Sequence, residues 1–365
     1  VVGERLRKRG IMADAHDRSD RVPADTRGIG RYARAVLRRL VAREDIALTL
    51  LLPERFPWLR RNSLAAAIGS TRFRVAREAP RDTQLLWHPA NGTFFSAPGV
   101  PSVVTIHDAV PFRFPNPDRA ASERERAPFL RSSREATHFI AVSHFGAAEA
   151  TDVFGIAADR IAVIPHGVDG SFTPGEPGPL PSALREGGYL LFVGDPGTER
   201  RKNFPVLAAA HADAFPSGDP PIAVAGPRAP QGAATCYVGE IRDDIRGSEN
   251  ATLRSLYRGA LALCVPSLHE TFGMPGVEAM ACGTPVLAAQ SSCLPEIYGD
   301  AALFIPPEDA RVWSECLQRI VSDRRLQADL RERGLAQAAR YDWERSAQAH
   351  LDLFRRVAER DAMHA

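Results

Sequence analysis

Short runs of β-branched and other apolar residues alternate with longer stretches of helical periodicity along most of this chain. In the first half, Ile46–Leu52, Arg72–Val75, Gln84–Trp87, Ser102–Ile106, Phe139–Val142 and Ile161–Ile164 predict strands, with helical stretches such as Gly30–Ala42 and Ala121–Glu135 between them. In the second half the strand-like runs are Leu190–Val193, Ile222–Ala225, Leu261–Val265, Pro285–Ala288 and Leu303–Ile305. Strands spaced by helices read as βαβ units. Their parallel sheets are covered on both faces, so the strands are near-continuously apolar rather than alternating. The first strand is the weakest, because the apolar run around Ile11–Ala13 is short and follows an arginine-rich stretch. The tail Trp343–Glu359 is helical, with Leu351, Leu353, Phe354 and Val357 along one stripe.

The segment Thr173–Pro181, TPGEPGPLP, is too rich in proline and glycine to form an element. It places a connection at residues 171–186 between an α/β domain at 1–170 and a second at 187–342, followed by a tail at 343–365. A length of 365 residues agrees with two domains, and neither half shows a short period that would indicate a solenoid or propeller.

Charge then narrows the classes. Basic and acidic residues number 46 and 44, so no global field marks a nucleic-acid binder. No apolar run approaches the roughly 18 residues of a membrane-spanning helix. Val1–Gly10 is charged and lacks the apolar centre of a signal peptide, so no secretory leader is expected. Five cysteines, at 236, 264, 282, 293 and 316, form no CxxC pair. They read as reduced thiols of a cytoplasmic protein, without metal ligation. Only two lysines occur, Lys8 and Lys202, which singles out the second.

Candidate chemistry gathers at three glycine-containing segments. Gly28-Ile29-Gly30-Arg31-Tyr32-Ala33 matches the G-x-G-x-x-G/A dinucleotide pattern, but Asp14 to Arg27 separate it from the first strand, which argues against a nicotinamide site. A loop and helix start near a ligand remains. In Cys264–Gly283, a buried strand leads into a loop with His269 and Glu270, then a helix opened by Gly273 and Pro275. The N–H groups from Phe272 to Met274 then suit a nucleotide diphosphate. Glu270 and Glu278, with seven residues between them, can each accept hydroxyl hydrogen bonds from a sugar or ribose. After Gly194, the run Arg200-Arg201-Lys202-Asn203 sets cations beside the start of helix Phe204–Ala214. That runs against the helix dipole, so an anion must offset them or the charges are simply solvated.

In this order, the segments resemble the retaining glycosyltransferases of family four, on the GT-B fold. Glu270–Glu278 within HETFGMPGVEAMACGTPV is similar to the family's E-x7-E signature, GIGRY to its glycine loop, and Ile106-His107-Asp108 with Pro111 to its IHDxxP segment. Val163–Asp169 resembles its crossover, Phe192–Gly194 with Arg201–Asn203 its phosphate turn, and Ser292–Glu296 and Gly299–Pro306 its downstream stretches. The resemblance implies two Rossmann-like domains facing across a cleft, with the tail helix crossing back onto the first.

It also implies roles. Glu270 would hold the donor sugar and stabilise positive charge at its anomeric carbon, and Glu278 the ribose. Lys202, with Arg201 or Arg200, would neutralise the leaving diphosphate. Gly194, Thr271, Phe272, Gly273 and Met274 would line the donor site. His107 would lie near the donor sugar, with a satisfied buried histidine as the alternative, and Gly28 and Gly30 near phosphate or acceptor. No D-x-D occurs, so no metal cofactor is expected. The implied reaction moves a hexose from a nucleoside diphosphate sugar, GDP-mannose favoured, to a saccharide or lipid-linked saccharide. A natural-product glycosyltransferase and a non-hydrolysing sugar-nucleotide epimerase are the alternatives. The Arg31–Arg43 helix is either core-packed, with Tyr32, Val36, Leu37, Leu40 and Val41 inward, or a peripheral contact with the inner membrane face.

Overall fold

The computed structural model describes residues 9–14, 28–52, 55–92, 95–230, 234–241 and 252–364. It divides into two units, Val1–Gly167 with Trp343–Ala365, and Val168–Asp342. Residues 171–186, read from the sequence as a free connection, belong to the second unit. There the Arg258 guanidinium binds the Thr173 carbonyl at 2.7 Å and the Glu176 carbonyl at 3.1 Å.

Among the described residues the first unit has seven parallel strands, β1 (Arg9–Asp14), β2 (Ile46–Leu51), β3 (Phe73–Ala76), β4 (Thr83–His88), β5 (Ser102–Ile106), β6 (His138–Ala141) and β7 (Ile161–Val163). Their order is β3-β2-β1-β4-β5-β6-β7. The strand with the poorest sequence signal is therefore central, paired with β2 along Arg9–Asp14 and with β4 on its other side. Elsewhere in the sheet the apolar runs are buried, as at Leu50, Leu85, Val103, Val104, Phe139 and Ile140.

Among the described residues the second unit has six parallel strands, β8 (Leu190–Val193), β9 (Ile222–Ala225), β10 (Thr235–Gly239), β11 (Ala262–Val265), β12 (Val286–Ala289) and β13 (Ala302–Ile305), ordered β10-β9-β8-β11-β12-β13. Strand β10 lies within the polar stretch that gave no strand signal, and most of Gly232–Asn250 falls outside the described residues. Both sheets reverse direction of growth beside their first strand, between β1 and β4 and between β8 and β11. Ligands of doubly wound sheets bind at the carboxyl ends of the strands at such switch points.

The tail helix Trp343–His364 belongs to the first unit. It buries Leu351, Leu353, Phe354 and Val357, and sets Phe354 5.5 Å from Trp87. The helix Gly28–Ala42 buries Tyr32, Val36, Leu37, Leu40 and Val41, the residues that the core-packed reading turned inward. Its arginines are engaged as well: Arg39 binds Glu344 at 3.0 Å, Arg43 binds Gln348 at 3.1 Å, and Arg38 the Ala67 carbonyl at 2.9 Å. The core-packed reading of this helix is the observed one. Among the described residues no helix is long and apolar enough to cross a membrane.

Candidate active site

At the switch point of the second unit, the turns leaving β8 and β11 converge. The loop after β8 opens at Gly194 and is ordered by Asp195, whose carboxylate accepts from the Gly197 N–H at 2.9 Å, the Thr198 N–H at 3.1 Å and the Thr198 hydroxyl at 2.6 Å. This Asx turn was legible in Asp195-Pro196-Gly197-Thr198 but was missed. A short 3-10 turn, Arg200–Lys202, follows and ends on Asn203 in the left-handed conformation, φ 52°. Asparagine tolerates that conformation, and its amide reaches the Pro266 carbonyl at 3.1 Å and the Pro307 carbonyl at 2.8 Å. The Leu268 N–H donates to the Arg201 carbonyl at 2.7 Å. The two turns are thereby stapled together before any side-chain charge is counted.

Across this staple stands an ion cluster. Lys202 Nζ lies 2.6 Å from Glu270 Oε1, and Arg201 Nη1 lies 3.3 Å from Oε2. Ser267 donates to Oε1 at 3.0 Å, and the Glu270 N–H donates to Ser292 Oγ at 3.0 Å. The side chains of Glu270, Lys202 and Arg201 are 11%, 12% and 22% exposed. Burial by itself raises the Glu270 pKa. Lys202, Arg201 and the hydrogen bonds from Lys202 and Ser267 outweigh it and hold the carboxyl at about 2. Glu199 adds a second anion, 2.8 Å from Arg201. These carboxylates are the offset that the cations beside the Phe204–Ala214 helix required. Arg201 joins the cluster whereas Arg200 is exposed, which separates the two arginines that the sequence left open.

From Glu270 the chain passes through Thr271, Phe272 and Gly273 into helix Met274–Ala281. Gly273, at φ 73°, and Gly276 both lie against Tyr298, where added Cβ atoms would fall 2.4 Å and 2.2 Å from its Oη. The Tyr298 hydroxyl donates to the Gly273 carbonyl at 2.7 Å and thus fixes the helix entry. The Phe272 ring is buried edge-on to Tyr341 at 5.3 Å, so only its backbone can serve a ligand. Glu278 sits in the second turn of this helix. It is 1% exposed and accepts from Tyr257 Oη at 3.0 Å. The structure thus brings Gly194, Arg201, Lys202 and Glu270 together and keeps the Glu278 carboxylate inside the unit. Cys264 and Cys282 are core residues whose thiols burial pushes up to about 12.

His107, Gly28 and Gly30 belong to the first unit. Gly28 and Gly30 form the first turn of helix Gly28–Ala42. His107 follows β5, with its N–H 2.5 Å from Asn91 Oδ1 and its Nε2–H donating to the Pro89 carbonyl at 2.7 Å. Tyr32 meets it edge-on at 4.8 Å and His166 stacks on it at 5.6 Å.

Behind it runs a hydrogen-bond chain that the sequence did not reveal. His350 Nδ1 lies 2.7 Å from the Ser346 carbonyl, which only accepts, so Nδ1 carries the proton and Nε2 accepts from Tyr32 Oη at 2.6 Å. Thr105 then donates to Tyr32 at 2.8 Å, and Trp87 Nε1–H donates to Thr105 at 3.0 Å. Burial pulls His350 down to about 4 and His166 well below its ordinary value, so both rings stay neutral at neutral pH. Tyr32 reads as one more apolar residue of a helix stripe, and His350 stands 318 positions away. No local pattern joins them.

Two family models match the chain. One described as Glycosyltransferase Family 4 covers residues 26–172, and one described as Glycosyl transferases group 1 covers residues 245–337, which include Glu270 and Glu278. The chain is a glycosyltransferase of the family-four type. This glycosyltransferase is 28% identical over 361 residues to the O-antigen chain mannosyltransferase B of Escherichia coli, covering 87% of this chain and 93% of that one. It is 37% identical over 105 residues to a D-inositol 3-phosphate glycosyltransferase of Saccharomonospora viridis, there covering 28% of this chain and 24% of the relative. The sucrose-phosphate synthase of Thermosynechococcus elongatus has the same fold, with a TM-score of 0.67 at 19% identity over 95% of this chain and 98% of that one.

The depressed pKa gives this glycosyltransferase a defined acid response. A carboxyl whose folded pKa lies below its unfolded one contributes stability above the unfolded value and loses it as pH falls through the folded value. Glu270 shifts from 4.5 to about 2. At pH 7 its ion pairs therefore contribute on the order of 3 kcal/mol, lost between about pH 5 and pH 2. Chemical denaturation of the parent and of Glu270→Gln should show a stability gap that closes over this range. A gap that stays constant from pH 6 to pH 2.5 would contradict the assignment.

Proposed function

We propose that this glycosyltransferase moves a mannosyl residue from GDP-mannose to a hydroxyl of a saccharide or lipid-linked saccharide acceptor, with retention at the anomeric carbon, in surface-polysaccharide synthesis. The observation that carries the reading is the Lys202–Glu270–Arg201 cluster at the carboxyl ends of β8 and β11. Its cations are fixed in place, weakly solvated and matched to a departing diphosphate. Glu270 stays ionised and is suited to a sugar that gains positive charge as its bond to phosphate breaks. The two cations are proposed to act at the diphosphate where a metal ion would otherwise stand. The mannosyl assignment draws on the O-antigen mannosyltransferase relative.

The proposed step is front-face displacement. The bond from the anomeric carbon to the diphosphate oxygen breaks with its electron pair leaving on phosphate. The acceptor oxygen bonds the same face, and its proton passes to the leaving phosphate oxygen. Glu278 is proposed to accept from the ribose hydroxyls alongside its bond from Tyr257, since a carboxylate has two oxygens with which to accept. His107, Gly28 and Gly30 are proposed for the sugar and acceptor side, with the reaction on the cytoplasmic side of the membrane.

The test is release of nucleoside diphosphate from a panel of GDP-, UDP- and dTDP-sugars, with and without saccharide acceptors, and anomeric assignment of the product by NMR. Acceptor-dependent release from GDP-mannose with a retained anomer supports the reading. Release from every donor regardless of acceptor, or an inverted product, overturns it. The inositol-phosphate relative favours a small polyol as second reading, and a phosphorylated polyol in the acceptor panel separates the two.

A further inference from the structure

Three large apolar side chains of the first unit face solvent within a single turn. Phe56, Trp58 and Leu59 are 46%, 60% and 74% exposed. They lie on and just before the 3-10 turn Pro57–Arg60, held by the buried Pro57 and by the Leu59 N–H donating to the Phe56 carbonyl at 3.1 Å. Phe56 and Trp58 meet edge-on at 5.3 Å, and the Arg55 guanidinium sits 5.3 Å over the Phe56 ring. Arg55 and Arg60 flank the turn, the Arg61 guanidinium is engaged by the Thr71 carbonyl at 3.0 Å, and residues 52–71 carry a single acid, Glu54.

Single exposed apolar residues are ordinary, but three large ones clustered in one turn form a patch of the kind that marks an interaction site. Aromatic and aliphatic side chains ringed by cations match the boundary between lipid headgroups and acyl chains, where rings enter the interface and guanidinium groups meet phosphate. The turn leaves the carboxyl end of β2, and His107 leaves the carboxyl end of β5 in the same parallel sheet, so both stand on one edge of the first unit.

We propose that the Phe56–Leu59 turn docks the first unit onto an anionic lipid bilayer, with the three apolar side chains in the interface and Arg55 and Arg60 against lipid phosphates. The contact thereby moves from the arginine-rich helix at 28–42 to this turn. It goes beyond the transfer reading and takes its purpose from a lipid-linked acceptor. Docking itself needs no turnover, so the two stand or fall separately.

Tryptophan emission reports the event directly, because Trp87, Trp313 and Trp343 are buried and Trp58 is exposed. The experiment adds vesicles of phosphatidylglycerol and phosphatidylcholine, or of phosphatidylcholine alone, to the full chain, and follows emission and co-sedimentation. The expected result is a blue shift and pelleting with the anionic vesicles, both weakened by salt. Replacing Trp58→Ser and Leu59→Ser together should weaken partitioning at least about tenfold, with melting temperature and turnover of a soluble acceptor unchanged. Anionic vesicles that shift nothing and pellet nothing overturn the proposal, as does pelleting that the double substitution leaves intact. A blue shift that appears without lipid as protein concentration rises assigns the turn to a second copy of the chain and equally overturns it. Docking without transfer would leave this surface standing and sink the proposed reaction.

Discussion

Lys202→Ala is expected to lower turnover by a factor of a few hundred, about 3–4 kcal/mol of transition-state stabilisation, as removal of a positioned donor to a developing anion does. Its ammonium is 2.6 Å from Glu270 and its side chain only 12% exposed, so water cannot fully replace it. The stem packs on Gly194, whose φ of 149° is a backbone conformation that L side chains rarely adopt, and a Cβ there would stand in contact at 3.4 Å from Lys202 Cδ and Cε. Lys202→Arg should restore only part of the loss, since a planar fork does not reproduce a point charge on a straight stem. Arg201→Ala should follow Lys202→Ala in direction, whereas Arg200→Ala, at an exposed position outside the cluster, should leave the rate near the parent's. Steady-state kinetics at saturating donor, with melting temperatures to verify folding, check this. A Lys202→Ala protein that turns over at the parent rate would remove the cluster from the chemistry.

The largest structural effect is expected from Gly226→Ala. Gly226 follows β9, and its N–H donates to the Gly239 carbonyl at 3.0 Å. A Cβ there would lie 1.9 Å from the Gly194 carbonyl oxygen and 2.9 Å from its carbon. Both are backbone atoms, so no rotamer change relieves the clash and the turn after β8 must move. That turn is itself tied to β9 through the Gly194 N–H to the Ala225 carbonyl at 2.9 Å. We expect a loss of about 2–3 kcal/mol, a fall in melting temperature of roughly 4–10 °C, and weaker donor binding because the turn leads to Lys202. Gly197→Ala supplies the contrast, since its Cβ would meet only the Asp195 carboxylate at 3.8 Å. It should stay within about 0.5 kcal/mol of the parent. Equal melting temperatures for the two variants would refute the packing argument.

The legible part of the site was local. Glu270 and Glu278 were found because a strand, a loop and a glycine–proline helix entry lie within twenty residues and carry their own backbone chemistry. Lys202 was found because it is one of two lysines in an arginine-rich chain. What the sequence left open was pairing. Arg200 and Arg201 are equivalent as letters, and only the 3-10 turn ending at Asn203 aims one of them at Glu270. Glu278 reads from the sequence as an acceptor of hydroxyl hydrogen bonds, and only the fold shows that Tyr257 supplies one of them. Nothing near Tyr32 points to His350, whose imidazole arrives on a helix from the far end of the chain.

The strands divide in the same way. Those with continuous apolar runs declared themselves, because a strand covered on both faces must be apolar at nearly every position. β1 did not, although it occupies the centre of its sheet, since its place there is secured by backbone pairing with β2 and β4. Backbone hydrogen bonds are the same for every residue and leave no mark on composition. The sequence by itself therefore determined the α/β class, the order of the elements and the identity of the residues able to handle charge. Only the tertiary structure decided which strand is central, which arginine meets Glu270, which carboxylate is sealed and which apolar turn is left facing water. Those outcomes depend on contacts between segments far apart in the chain, whose energies are realised only once both partners are in place.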